Sequence, residues 1–242
     1  MPISFRRPVA AGPALFLPAL LLSLLVIILP VTQAIAQDAP APPTKFDQFL
    51  TRFDLGVSAA GSLTNTVSGI EQRDLTTTHS TLSIRPSTTV GELATITYTA
   101  RPWVGFEFNF GNSRYTENYT FTPPPPQSLI FNNAQVGVHE ETLGYVAHPP
   151  HTFFGIQPFF GAGGGTMAFH PTRGGGEGLP FQYRAAYYYS LGLQDQFPDS
   201  HFGMRLGFRQ IIYLAPDFQE NYLTITRRVR TSEPTIGFYL RF

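Results

Sequence analysis

Hydrophobic and polar residues alternate with a period of two along most of the chain beyond residue 50. In the closing segment Ile236, Phe238, Leu240 and Phe242 share one face of an extended strand, and Thr235, Gly237, Tyr239 and Arg241 share the other. Val104, Phe106, Phe108 and Phe110 repeat the pattern, as do Phe202, Met204, Leu206 and Phe208. Period two is the signature of a strand with two unlike faces. It predicts eight strands, near residues 52–60, 92–100, 104–110, 135–147, 153–168, 181–194, 201–213 and 235–242. Spans of about 9–11 residues suit a tilted strand that crosses a membrane. The fourth segment breaks the rule: Val136, Val138 and Glu140 lie on one parity, Leu143 and Tyr145 on the other. A bulge just before Glu140 would reconcile them by shifting the face once.

The connections alternate in length. Arg101-Pro102, 148–151 and 196–200 are short and rich in turn formers, whereas 61–91, 111–133, 170–180 and 216–230 are longer, polar and irregular. A strand that ends the chain on a bare Phe would leave a sticky edge in water. Pairing with the first strand in a closed ring removes that edge and turns the apolar face to lipid. The expected fold is therefore all-β, a closed antiparallel up-and-down transmembrane barrel of eight strands. A hairpin within 61–91 joining the wall would make ten. An even number places both chain ends on one side, the periplasmic side if short turns lie there.

The start of the chain carries its own signal. Arg6 and Arg7 precede an apolar stretch, Leu15 to Val31, followed by Ala34-Ile35-Ala36. This is the pattern of a signal peptide over residues 1–36, cleaved before Gln37. Residues 37–50 open with Gln-Asp-Ala-Pro-Ala-Pro-Pro and read as a periplasmic tether, and 51–242 as the barrel. Charged residues are 13% and aromatics 14%, with 22 Phe and 11 Tyr. Charge that scarce suits a lipid-facing surface, where an Arg or Lys at mid-bilayer costs about 2–4 kcal/mol. The net charge of zero provides no field for nucleic acid, and the absence of Cys excludes disulfides and thiolate chemistry.

With the apolar parity turned outward, the inward parity collects Asp54, Glu107, Arg184, Arg205, Arg209 and Arg241, and Glu140 if the bulge precedes it. Two readings stay open. The set is a charged constriction or polar ligand site, or it cross-links a solid interior, since a ring of about eight strands is only wide enough for side chains to fill. Glycines at 161, 163 and 165 leave the inner face of the fifth strand bare, with room for Tyr188 or Arg205. Pro123–Pro126 reads as a stiff loop spacer. His148 and His151 flank a turn and lack a third metal ligand. His79-Ser80 and His170, with Glu92 and Asp195 as acids, are the only candidates for rim catalysis, and no spacing brings a nucleophile to a base. The chain contains no phosphate-binding glycine motif leading into a helix. No enzyme activity, cofactor or metal is expected.

Four stretches carry a wider likeness: Tyr98 to Gly111, Pro158 to Gly165, Gly203 to Arg209 and Glu233 to Phe242. In these the chain resembles the small OmpA/OmpX-like outer-membrane β-barrel proteins, often called porin-family or outer-membrane barrel-domain proteins. The resemblance implies a bacterial outer-membrane location and a monomer embedded in outer-membrane lipid. It also implies recognition of the strand holding Ile236, Phe238, Leu240 and Phe242 by the barrel assembly machinery. That scaffold serves adhesion, protection, anchoring and small-pore roles. A structural or surface-interaction role with a filled lumen is expected, with a narrow pore and a lipid-modifying enzyme as the alternatives. No site residue is carried over, and the surface ligand stays open.

Overall fold

Strands whose outer faces meet hydrocarbon must satisfy every backbone group among themselves, and a closed antiparallel ring does so without an edge. The computed structural model describes residues 44–70, 80–122 and 130–242. The leader, the first half of the tether, His79 and Pro123–Pro126 lie outside the described residues. The strands are β1 (Phe53–Thr64), β2 (Val67–Ile70), β3 (Thr81–Pro86), β4 (Thr89–Arg101), β5 (Val104–Thr122), β6 (Ile130–Ala147), β7 (Gln157–Pro171), β8 (Gln182–Gln196), β9 (Phe202–Leu214) and β10 (Arg228–Arg241). Eight of them form the ring β1-β4-β5-β6-β7-β8-β9-β10, which closes where β10 pairs with β1 from Asp54↔Arg241 to Thr64↔Thr231. No helix among the described residues is long and apolar enough to cross a membrane.

The hairpin anticipated within 61–91 exists as β2 and β3, but it adds no strand to the ring. β4 pairs with the lower part of β5, from Arg101↔Val104 to Glu92↔Asn112. Above that level β3 takes over, from Pro86↔Glu117 to Thr81↔Thr122. The ring therefore stays at eight strands and the hairpin extends one side of it.

Two expectations are corrected. Residues 111–133 are not an irregular loop: β5 runs on to Thr122 and β6 starts at Ile130. β6 also carries no bulge near Glu140, because its register with β5 is unbroken from Val104↔Ala147 to Phe121↔Ile130. Val136, Val138, Glu140 and Thr142 all point inward on one continuous parity. Both corrections have one cause. The strands outrun the apolar outer belt, and beyond it the apolar residues turn inside.

The barrel thus has two levels. Around the lower one, Val57, Ile96, Phe106, Leu143, Phe208 and Phe238 are exposed on the outside, while the interior is polar. On β5 the outward side changes above Phe110 to Asn112, Arg114, Thr116 and Asn118. There the interior becomes an apolar core in which Leu82, Ile84, Val136, Phe169 and Ile211 have no exposed surface. Phe218, from the segment between β9 and β10, closes this core from above in a left-handed backbone conformation (φ 49°). A bulky residue adopts that conformation only where surrounding contacts hold it.

Candidate functional site

The polar interior of the lower level is built by alternate residues of β1, β4, β5, β6, β8, β9 and β10. At the turn end, Asp54 and Arg241 face each other in register, and Arg241 Nε and Nη2 each donate to one carboxylate oxygen at 2.8 Å. Arg241 Nη1 also reaches Gln196 Oε1 at 3.0 Å. Such a bidentate fork is the strong form of a charge-assisted bond.

One level higher, Arg205 Nη2 donates to Glu107 Oε2 at 2.6 Å, and its guanidinium lies 3.8 Å from the centroid of the Phe159 ring. The other oxygen of Glu107 accepts from Asn109 Nδ2 at 3.1 Å, and Asn109 Oδ1 accepts from Thr95 at 2.9 Å. Above these, Arg209 binds two acids: Nη2 donates to Glu140 at 2.5 Å and Nη1 to Glu233 at 3.0 Å. Thr142 donates to the same Glu140 oxygen at 2.8 Å. Arg209 and Glu140 expose only 4% and 6% of their side chains. Leaving such a charge unpaired would be costly, so the pairing is what makes this interior tenable.

Bare backbone makes room for these groups. A methyl group added at Gly144 would lie 2.5 Å from the Tyr188 hydroxyl, and one at Gly163 2.7 Å from the edge of its ring. Tyr188 therefore lies across the glycines of β6 and β7, and its hydroxyl accepts from Asn109 at 3.2 Å. The voids left beside Glu140 and beside Arg205 measure about 20 and 10 Å³. Spaces of that size hold about one water each.

Arg184 stands apart from the lumen acids. It is the third residue of β8, opposite Met167 at the loop end, and it pairs with Asp217 at 2.8 Å. Gln182 joins it: its side-chain carbonyl accepts from the amides of Asp217 and Phe218, and its amide donates to Asp217 at 2.6 Å. Burial works against ionisation of Asp217, yet bonds from Gln182, the Gln219 amide and Arg184 hold its carboxyl below the usual range. These contacts fasten the β9–β10 segment over the apolar core.

Sequence reasoning missed Glu233, Asp217 and Glu117. Glu233 shares the inward parity of Arg241, so extending the last strand by two residues would have found it. Asp217 lies in a segment without periodicity. Glu117 lies on β5 beyond the point where the strand was expected to end. It is buried beside Tyr115 and Tyr119, with one carboxylate oxygen and both phenolic hydroxyls lacking a hydrogen-bond partner. Burial pushes its carboxyl up to about 8. At neutral pH Glu117 is therefore largely protonated, the form an apolar core tolerates.

Among the described residues, the rim candidates do not assemble. His170 is on the outer face against His139 and Phe181, with ring centroids 5.1 and 4.0 Å away. Asp195 lies at the opposite, turn end of β8, and Glu92 faces outward on β4. Among the described residues, no cluster of three or more His, Cys, Asp or Glu is placed to hold a metal ion.

No protein-family model matches the chain, and no curated protein matches it by sequence. Solved structures do. Neisserial surface protein A aligns at 12% identity over 78% of this chain and 97% of its own, with a TM-score of 0.50. Ail, the attachment invasion locus protein of Yersinia pestis, aligns at 12% identity over 79% and 99%, with a TM-score of 0.41. The outer membrane protein AlkL aligns at 15% identity over 86% and 97%, with a TM-score of 0.42. Identity this low speaks to fold alone, and the fold is the closed eight-stranded antiparallel barrel of small outer-membrane proteins.

Proposed function

We propose that this chain is an integral outer-membrane protein with both termini in the periplasm. In this reading the barrel is a plugged anchor that presents the extended loop-end structure at the cell surface for interaction. It is not a conducting pore. One observation carries the reading: Arg205 and Glu107 join opposite sides of the ring at 2.6 Å, directly below the bridge of Arg209 to Glu140 and Glu233. A lumen crossed in this way, with apolar side chains filling the level above, favours a plugged barrel over a conducting one. The strand holding Ile236, Phe238, Leu240 and Phe242 serves as the recognition signal for the assembly machinery, and the barrel works as a monomer without nucleic acid, cofactor or enzymatic turnover.

Refolded protein in a planar bilayer tests this directly. The expected trace is flat at moderate voltage, while reproducible unitary open steps would replace the anchor with a narrow pore. Lipid A mass shifts on expression would instead favour a lipid-modifying enzyme. A difference in gel migration before and after boiling in detergent checks the barrel independently of its role.

A further inference from the structure

The segment expected to be a tether does not reach β1 as extended chain. Lys45–Leu50 is a helix of six residues opened by a reciprocal cap. The Thr44 hydroxyl accepts from the Asp47 amide at 3.2 Å, and the Asp47 carboxylate accepts from the Thr44 amide at 2.8 Å. A helix this short is marginal in water, and most helical stability comes from burying an apolar face. Yet none of its residues is buried. Phe46 and Phe49, three residues apart and so on one face, are 66% and 50% exposed.

That face continues the apolar belt of the barrel. Phe49 packs edge-on against Phe53 at 5.0 Å between centroids, and Phe53 packs on Tyr98 at 5.1 Å. Phe53 and Tyr98 are the outward residues that begin the β1–β4 pair, followed by Leu55 and Ile96. Two exposed cations flank the aromatics. Lys45 opens the helix, and Arg52 donates to the Tyr98 hydroxyl at 3.4 Å. An apolar face with basic residues at its margin is the composition that lies in a bilayer interface, with rings at the acyl boundary and cations at phosphates.

We propose that Lys45–Leu50 is an interfacial anchor that beds Phe46 and Phe49 in the phospholipid leaflet at the turn end of the barrel, where β1 starts and β10 ends. The inference rests on the membrane reading above and adds to it a second element in contact with lipid. The anchor holds the start of β1 at a set depth.

Tryptophan quenching in the full chain tests the proposal. The sequence has one Trp, Trp103, so W103F provides a silent background into which F49W and F238W are placed separately. Each variant is refolded into phosphatidylcholine vesicles brominated either near the glycerol or near the chain ends. The shift in gel migration on boiling confirms that each has folded. The F49W reporter is expected to be quenched about twofold more strongly by the shallow bromines than by the deep ones. Emission typical of water without quenching, while F238W is quenched, would overturn the anchor and leave the barrel in the membrane. Blue-shifted emission without quenching would overturn it too, because protein rather than lipid would then cover the helix. If F238W is also unquenched in folded protein, the membrane reading itself fails.

Discussion

Arg205 on β9 and Glu107 on β5 stand four strands apart in the ring, the greatest separation eight strands allow, yet their side chains meet at 2.6 Å. A guanidinium and a carboxylate together span the full width of the lumen. Phe159 covers the guanidinium, and Asn109 donates to the second oxygen of the carboxylate.

Removing one partner should cost far more than removing both. Arg205→Met leaves a buried carboxylate and should destabilise the folded barrel by about 3–5 kcal/mol, while R205M with E107Q should recover most of that loss. Urea unfolding in detergent micelles checks this through a double-mutant cycle. Additive losses would mean that the two groups do not interact.

Arg209 should be the more sensitive position, because its loss leaves both Glu140 and Glu233 without a cation. R209M should fall below R205M in midpoint, and E140Q combined with E233Q should restore it toward the parent. Neither Arg variant alone is expected to conduct, since the apolar core above remains in place. Unitary currents from R209M would show that a single bridge seals the lumen.

Glu117 predicts a pH dependence of known sign. Its carboxyl titrates near 4.5 when unfolded and at about 8 in the folded protein. The folded state therefore binds the extra proton. Stability is fully present below about pH 4.5 and declines as pH rises to about 8, at up to about 1.4 kcal/mol per pH unit. Glu117→Gln should flatten the profile between these limits, and unfolding midpoints of the two proteins across that range give the comparison.

Gly203 lies under a ring. A methyl group there would lie 2.2 to 2.5 Å from three atoms of the Tyr239 side chain. G203A should destabilise the barrel by about 1–3 kcal/mol through overpacking, and Y239A in the same chain should relieve part of it. If Y239A brings no relief, the backbone rather than the ring limits this site.

The segment over the apolar core depends on Asp217, which accepts from Gln182, the Gln219 amide and Arg184. D217A should leave the wall intact and loosen this segment. Limited proteolysis of the folded barrel should then cut between β9 and β10 several-fold faster than in the parent, while gel migration stays unchanged.

Period-two alternation by itself placed the eight strands of the ring and the outward side of the belt, and left open whether the 61–91 hairpin would bring the ring to ten. Phe106 and Phe108, Leu206 and Phe208, and Ile236 and Phe238 alternate with small or polar residues, and a lipid solvent permits one orientation of that pattern. The same alternation could not show where the lipid stops. Val136 and Val138 continue the register of Glu140 without a bulge, and Tyr115 and Tyr119 that of Glu107, but above the belt the outward residues are polar and the apolar parity moves within. A two-sided strand has the same periodicity in either solvent, so the height of the chain in the bilayer decides which face is the core. The partners of the lumen charges were likewise beyond local pattern. Asp54 and Arg241 are neighbours in register, but the meetings of Arg205 with Glu107, Arg209 with Glu140 and Arg184 with Asp217 depend on ring closure, strand stagger and the path of a non-periodic loop, which only the tertiary structure sets.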